Sequence, residues 1–269
     1  MKKKLTLLAL CLVTVLTAVP VWAAEQSAEE LAKAAQNPIA NMISLPFQNN
    51  TNFNVGPENG TQNILNIQPV IPFSLGKEWN LITRTIMPVI SQPAFGPGQD
   101  TQFGLGDTLF SAFFSPVSKP GELIWGAGPA VQIATHTDDR LGSNQWGIGP
   151  TAVGLLIEGP WVIGLLSNAV WSLGDSDAKL AYKTFLAQPF VNYNFGKTGT
   201  YLTFAPINTC NMRTGDWVVP LGGGIGQIFK IFGKQAVNAS IQAYYNVVNP
   251  DNIGPEWQTR FQLQFLFPK

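Results

Sequence analysis

Apolar and polar residues alternate one by one in many stretches of the chain, each about ten residues long, the length of a membrane-spanning strand. In the last stretch, Trp257, Phe261 and Phe265 alternate with Gln258 and Arg260. Successive side chains of a β-strand point to opposite faces, so this pattern gives each strand one apolar and one polar face. It predicts about twelve strands, at residues 44–53, 62–75, 79–91, 101–115, 123–135, 146–157, 161–173, 184–195, 201–211, 217–231, 236–248 and 256–267.

The connections between these strands are of two kinds that alternate along the chain. Short connections rich in Gly, Lys and Pro lie at residues 75–78, 118–121, 158–160, 195–197 and 232–234. The others are mostly longer and richer in Asn and Asp, at residues 54–61, 92–100, 136–145, 174–183, 212–216 and 249–255. This alternation is typical of bacterial outer-membrane barrels, whose short turns face the periplasm and whose long loops face outward. We therefore expect His136 to lie on the outer surface.

A closed barrel also satisfies the backbone in a membrane. In hydrocarbon, every backbone N–H and C=O needs a partner within the protein, and only helices and closed barrels provide one. Residues 152–170 are apolar enough to suggest a spanning helix, but Glu158, Gly159 and Pro160 interrupt them as a turn would. The predicted fold class is all-β: a single antiparallel transmembrane β-barrel of about 12 strands.

The N-terminal residues have the pattern of an export signal. Three lysines precede an apolar run, and a triplet ending at Ala23 has small residues where a signal peptidase reads them. A lipoprotein signal at Cys11 is disfavoured because Leu10, before it, is too large. We expect a signal peptide at residues 1–23, with Ala24 as the alternative cleavage site, a periplasmic N-terminal segment at 24–43 and the outer-membrane barrel at 44–269.

A short helix is predicted within the N-terminal segment. Ser27 and Glu30 have the spacing of a capping box, in which each side chain bonds the backbone of the other. The helix should run from Ala28 to about residue 36, before Asn37 and Pro38 end it.

Composition narrows the function. Charged residues are 12% of the chain, against about a quarter in soluble domains. Without the three leader lysines, 13 basic residues remain against 16 acidic ones, a net charge of −3, so we expect no nucleic-acid partner. Cys210 would be the one remaining cysteine and cannot form an internal disulfide. With His136 as the single histidine, we predict no metal site and no cofactor.

The polar faces of the strands supply candidate pore-lining residues. An unpaired arginine facing lipid costs roughly 2–4 kcal/mol at the midplane, so both strand arginines should face inward. We expect Asp107, beside a pair of glycines, to reach one of the guanidinium groups. The predicted lining set is Arg84, Asp107, Gln242, Gln258, Arg260, Gln262 and Gln264. Tryptophans near strand ends should form the membrane-interface girdles: Trp79, Trp125, Trp146, Trp161, Trp171, Trp217 and Trp257.

Glycines and prolines inside the strands need an explanation. Glycines recur at every second position, as in Gly104/Gly106 and Gly222/Gly224/Gly226, and either bend the barrel or make room for a plug such as the N-terminal helix. Bending is the favoured interpretation. Prolines remove ladder donors, and bulges would absorb them; they are Pro69, Pro72, Pro88, Pro129, Pro150, Pro189, Pro206 and Pro220.

Several local motifs resemble a known family. They are Gly104-Leu105-Gly106-Asp107-Thr108, Trp125-Gly126-Ala127-Gly128-Pro129, Trp146-Gly147-Ile148-Gly149-Pro150 and Gln262-Leu263-Gln264-Phe265-Leu266-Phe267. Together they resemble bacterial outer-membrane transporters of the phenol meta-pathway type, over nearly the whole mature chain. The resemblance implies a transport role and no defined chemistry. One departure is that Pro268 and Lys269 follow the aromatic residue on which such barrels usually end.

The expected function is a pore or transporter for small polar or aromatic solutes, in the outer membrane of a Gram-negative bacterium. The expected partners are outer-membrane lipids and the barrel-insertion machinery; the pattern leaves the oligomeric state open. One alternative is an outer-membrane lipid hydrolase, whose base would have to be His136, because a nucleophile needs an oriented base. Another is a closed structural or adhesive barrel filled by an internal salt-bridge network. We do not expect an enzyme.

Overall fold

The computed structural model describes residues 27–96, 98–174, 181–232, 235–250 and 254–268. The predicted signal peptide and Cys11 lie outside these ranges. One helix, α1, spans Ala28–Ala35. The strands are β1 Ile43–Val55, β2 Gly60–Ile67, β3 Val70–Leu75, β4 Trp79–Gln92, β5 Gln102–Leu105, β6 Thr108–Pro116, β7 Ile124–Ile133, β8 Gly147–Glu158, β9 Trp161–Ser172, β10 Lys183–Asn194, β11 Thr200–Phe204, β12 Asn208–Asn211, β13 Asp216–Ile231, β14 Gln235–Val248 and β15 Trp257–Phe267.

These segments form one antiparallel barrel. Three pairs of segments, β2 with β3, β5 with β6 and β11 with β12, are each one interrupted strand, so the 15 segments make a closed 12-strand barrel. Closure comes from β1 against β15, whose pairing runs without interruption from Ile43 opposite Phe267 to Phe53 opposite Trp257. The predicted all-β barrel and its strand count are confirmed. The apolar stretch 152–170 forms the hairpin of β8 and β9.

The connections define two ends of the barrel. The turn end carries the short turns, among them residues 76–78, 159–160 and 195–199, and the loop end carries the longer loops. In β14 and β15 the even-numbered residues are mostly buried and the odd-numbered ones mostly exposed or partly exposed. This alternation agrees with the apolar and polar faces predicted for the last strand, and β14 follows the same pattern. Val237 faces outward but is 1% exposed, since it lies between Phe229 and Phe265 in the sheet.

The capping box predicted for α1 is confirmed. Oγ of Ser27 accepts from the N–H of Glu30 at 3.2 Å, and Oε2 of Glu30 accepts from the N–H of Ser27 at 2.9 Å. These hydrogen bonds lower the pKa of the Glu30 carboxyl. Both satisfy backbone donors that the first turn of a helix leaves without partners.

Residues 28–42, which we call the plug segment, cross the interior of the barrel at the turn end. At one side of the barrel, Leu31 and Ala32 are buried against inward-facing side chains of β13, β14 and β15. At the other side, Ile39 is buried with Ile82 of β4 and Val162 of β9 among others. No helix of the described residues is long and apolar enough to cross a membrane.

Prolines sit where the sheet is irregular. Pro69 and Pro206 fall in the interruptions of the second and ninth strands of the barrel, and the register of β13 against β14 shifts between Val219 and Pro220. The expectation of irregular geometry is therefore confirmed at these three. Pro129 of β7 and Pro150 of β8 lie opposite each other. At Pro129 the other neighbour of β7, β6, is not paired, and at Pro150 the other neighbour of β8, β9, is not paired. Each proline therefore lacks its N–H donor at a position where the neighbouring strand offers no ladder partner.

Inward glycines make room for other groups. A Cβ atom on Gly126 would lie 3.2 Å from Ile39 of the plug segment. On Gly226 it would overlap the ring of Tyr201, which passes over β13 to reach Asn238 of β14. At these positions glycine makes space for an inward group, although bending of the barrel was the favoured expectation.

Candidate functional site

A cavity of about 140 Å³ lies inside the barrel beneath the plug segment. Its roof is formed by residues 34–42 with α1. Its walls come from β1, β3, β4, β10, β11, β14 and β15, and carry mainly amides and hydroxyls together with two guanidinium groups, those of Arg84 and Arg260. The barrel therefore holds a polar, cationic chamber at its turn end.

Arg260 is fixed by neutral groups. It is 2% exposed, and its Nε donates to Oδ1 of Asn50 at 3.0 Å while Nη1 donates to the carbonyl of Ala205 at 2.8 Å. Nη1 also lies 3.4 Å from Oε1 of Gln242, and the guanidinium carbon lies 5.0 Å from the ring centre of Tyr244. Nη2 is buried and has no hydrogen-bond partner among the described residues.

Arg84 reaches the cavity from β4, which β1 and the interrupted strand of β2 and β3 separate from β15. Its Nη2 donates to Oε1 of Gln68 at 2.6 Å, and Gln68 lies in the interruption between β2 and β3 with its backbone N–H bonded to Pro46. The irregularity at the second strand thus turns an amide toward the guanidinium.

Neither guanidinium is neutralised within the described part of the chain. The ion pairs found there join other residues, and the side chains around the cavity include no Asp or Glu. This differs from the salt-bridge network of the alternative closed barrel, because amides and carbonyls take the place of carboxylates around both cations.

The predicted glutamines lie along the same inward face. Gln264 accepts from Asn238 at 3.1 Å and from Gln262 at 3.3 Å, and Gln258 donates to Asn52 at 2.9 Å. Tyr201 donates to Asn238 at 2.8 Å and so extends the chain of hydrogen bonds to β11. Gln242, Gln262 and Gln264 border the cavity, whereas Gln258 lies nearer the loop end.

Asp107 is at a separate place, the loop end. Its Oδ1 lies 2.6 Å from Nδ1 of His136, and its Oδ2 accepts from the backbone N–H of Ser143 at 2.6 Å. The expected contact with a guanidinium is wrong for the described residues, since the carboxylate is engaged by the loop of residues 134–146, which we call the mouth loop. This loop lies against the inward face of β5, where Gly104 leaves room for Thr137 and Leu141.

His136 is at the loop end, as expected, but its side chain is 7% exposed rather than free in solvent. Nε2 lies 3.0 Å from Oδ1 of Asn144, so both ring nitrogens face oxygen acceptors. Burial lowers the pKa of His136, but the hydrogen bond and charge of Asp107, with smaller effects of Asn144 and Asp139, raise it overall. The doubly protonated ring satisfies both contacts.

The arrangement around His136 does not resemble a hydrolytic relay. A serine nucleophile would occupy the ring nitrogen not held by the carboxylate, and here Asn144 occupies it. No cluster of three metal-binding side chains was found among the described residues.

The tryptophans lie on the outer face at both ends. Trp79, Trp125 and Trp161 are at the turn end, and the other four predicted girdle residues, Trp146, Trp171, Trp217 and Trp257, are at the loop end. Their exposed fractions are 39–54%. Several of them contact other rings: the ring centres of Trp79 on β4 and Trp125 on β7, two strands away, are 6.1 Å apart, and those of Trp257 and Tyr245 on paired strands are 4.8 Å apart.

Sequence reasoning missed several residues of the chamber. Asn50, Gln68 and Tyr244 hold or flank the arginines, and Phe190 supplies an apolar wall. Asn50 belongs to the buried, polar positions that alternate in β1, so alternation was a usable signal for it. Gln68 has no such signal, because its position depends on the break before β3.

Comparison with known proteins gives a fold. No family model matches the chain, and no curated protein matches it. Among solved structures, an outer membrane channel from Pseudomonas putida F1 matches with a TM-score of 0.63 at 16% identity, over 92% of this chain and 100% of that one. The outer membrane phospholipase dimer of Salmonella typhi has a TM-score of 0.44 at 12% identity, over 92% and 99%. Phospholipase A of Escherichia coli has a TM-score of 0.44 at 12% identity, over 91% and 99%. The chain shares its barrel fold with the Pseudomonas channel.

Proposed function

We propose that this protein is a pore or transporter for small solutes in the outer membrane of a Gram-negative bacterium. The observation that carries the proposal is the division of the closed barrel into an apolar outside and a polar inside with a chamber. In the barrel, Phe261 and Ile241 on the outside alternate with buried Arg260 and Gln242 on the inside. A lipid environment favours that arrangement, because each strand exposes its apolar face to the bilayer.

The tryptophan girdles and the barrel fold shared with an outer membrane channel support the proposed location. Outer-membrane lipids would cover the apolar face, and the barrel-insertion machinery would deliver the chain to the membrane. The motifs around Gly104, Trp125 and Trp146 further support membership of the transporter family of the phenol meta-pathway type.

A solute can cross the barrel only if two elements, the plug segment and the mouth loop, move aside. The plug segment closes the turn end through its contacts at Leu31 and Ile39. The mouth loop narrows the loop end through Asp107 and His136. In this proposal the predicted lining residues Arg84, Arg260, Gln242, Gln258, Gln262 and Gln264 contact the solute, and Asp107 holds the mouth loop. No enzymatic step is assigned to the protein.

The experiment is single-channel conductance of the refolded mature protein in a planar bilayer. We expect steady conductance with a preference for anions, because two unneutralised cations face the chamber. An Arg84→Ala/Arg260→Ala double variant should lose that preference, and a Lys77→Ala variant, changed at an exposed turn, should retain it. A folded, heat-modifiable barrel without conductance would reject the pore.

A further inference from the structure

We propose that the chamber beneath the plug segment binds a small organic carboxylate between Arg84 and Arg260. This inference rests on the proposed function, because the ligand would be a solute that the barrel admits. It goes beyond a general pore by assigning a site and the chemical class of its occupant.

The first argument is the incomplete hydrogen bonding of Arg260. A guanidinium has five N–H donors and is always charged. In Arg260, Nε and Nη1 are bonded to Asn50 and Ala205, while buried Nη2 has no partner among the described residues. Leaving a buried charged donor unsatisfied costs free energy, and a ligand oxygen beside Nη2 would recover it.

The second argument is charge. Arg84 and Arg260 both border a cavity whose lining side chains include no carboxylate. Two like charges that border the same chamber repel each other, and an anion between them removes that repulsion. Protein-derived carboxylates are absent from this lining, so the neutralising group would have to come from a ligand.

The third argument concerns shape and chemistry. The planar fork of a guanidinium matches the two oxygens of a carboxylate. The cavity of about 140 Å³ is similar in size to a protein cavity of about 150 Å³ that accepts benzene. Met42, Val70 and Phe190 add apolar surface to its wall. These features fit one carboxylate carried on a small apolar body.

The test is calorimetric titration of the refolded protein in detergent micelles with benzoate and with benzamide, its neutral analogue of similar shape. We expect benzoate to bind and benzamide to bind at least about tenfold more weakly. Arg84→Gln, which is partly exposed and keeps a polar group, should weaken benzoate binding by about tenfold. Arg140→Gln serves as the matched control, because Arg140 contacts Asp100 and Gln102 at the loop end, and it should bind benzoate like the parent protein.

Arg260→Gln is the second variant, with folding checked by heat-modifiable migration. If it does not fold, the comparison of benzoate with benzamide and the Arg84→Gln variant still decide the question. Equal binding of benzoate and benzamide, or benzoate binding unchanged in Arg84→Gln, would overturn the site. Because binding is measured without a bilayer, a protein that binds benzoate but conducts no ions would keep the site and reject the pore. A protein that conducts ions but binds benzoate no better than benzamide would keep the pore and reject the site.

Discussion

Nδ1 of His136 lies 2.6 Å from Oδ1 of Asp107, and this pair joins the mouth loop to the start of β6. Since the pKa of His136 is raised in the folded protein, the stability that the charged pair contributes is fully present below about pH 6.5, the unperturbed histidine value. It is lost as the pH rises through the raised pKa of the folded state. The phenol of Tyr182, whose pKa is raised to about 12 by burial and then by Asp107, stays neutral throughout this range.

We therefore predict that the mouth loop loosens between about pH 5 and about pH 8. Hydrogen exchange at residues 134–146, corrected for the intrinsic pH dependence, should show weaker protection at the higher pH. A His136→Gln variant should show no such change. Protection that rises with pH in the parent protein would contradict the assigned direction.

Replacing Asp107 tests the same junction from the other side. Asp107→Ala leaves the His136 ring and the Ser143 N–H without their acceptor. We expect a loss of roughly 1–3 kcal/mol in the local stability of the mouth loop, because buried donors would be left unsatisfied. Hydrogen exchange of the loop measures the loss, and Asp138→Ala, which removes only a partly exposed contact with Arg140 in the same loop, is the control and should cost less. Equal protection in the two variants would mean that Asp107 does not hold the loop.

The barrel was predictable from sequence, whereas its contents were only partly so. Alternation in β15 predicts that Arg260 faces inward, because side chains two residues apart in a strand point to the same face of the sheet. It cannot predict that Asn50 and Ala205 bind the guanidinium, since those contacts depend on which strands close the barrel. Asp107 shows the same limit, because its partner His136 comes from a loop whose path no periodicity describes. The capping box at Ser27 was predictable because its contacts span three residues.

The plug segment should control conductance. Leu31 is 2% exposed and packs against inward-facing side chains, so Leu31→Glu would place an unpaired charge there and expel the segment. We expect single-channel conductance to rise by roughly twofold or more, with the barrel still folded. Lys33→Gln, which removes an ion pair with Glu29 that is partly exposed, is the control and should conduct like the parent. Unchanged conductance in Leu31→Glu would show that the segment does not obstruct the path.

Gly226 tests whether a missing side chain is required for an inward ring to pass. A Cβ atom at this position would overlap the ring of Tyr201, which crosses β13 to donate to Asn238. Gly226→Ala should therefore destabilise the barrel by about 1–3 kcal/mol, as overpacking does, and break the Tyr201 hydrogen bond.

The matched control is Gly154→Ala in β8, where the nearest heavy atom to the added Cβ is Leu123 at 4.0 Å. There the change should be neutral or stabilise by up to about 1 kcal/mol, because alanine loses less backbone entropy than glycine on folding. The midpoint of heat-modifiable unfolding on gels compares the two. If both variants melt like the parent protein, the ring of Tyr201 does not need the space that Gly226 leaves, and the explanation of Gly226 as room for this ring is wrong.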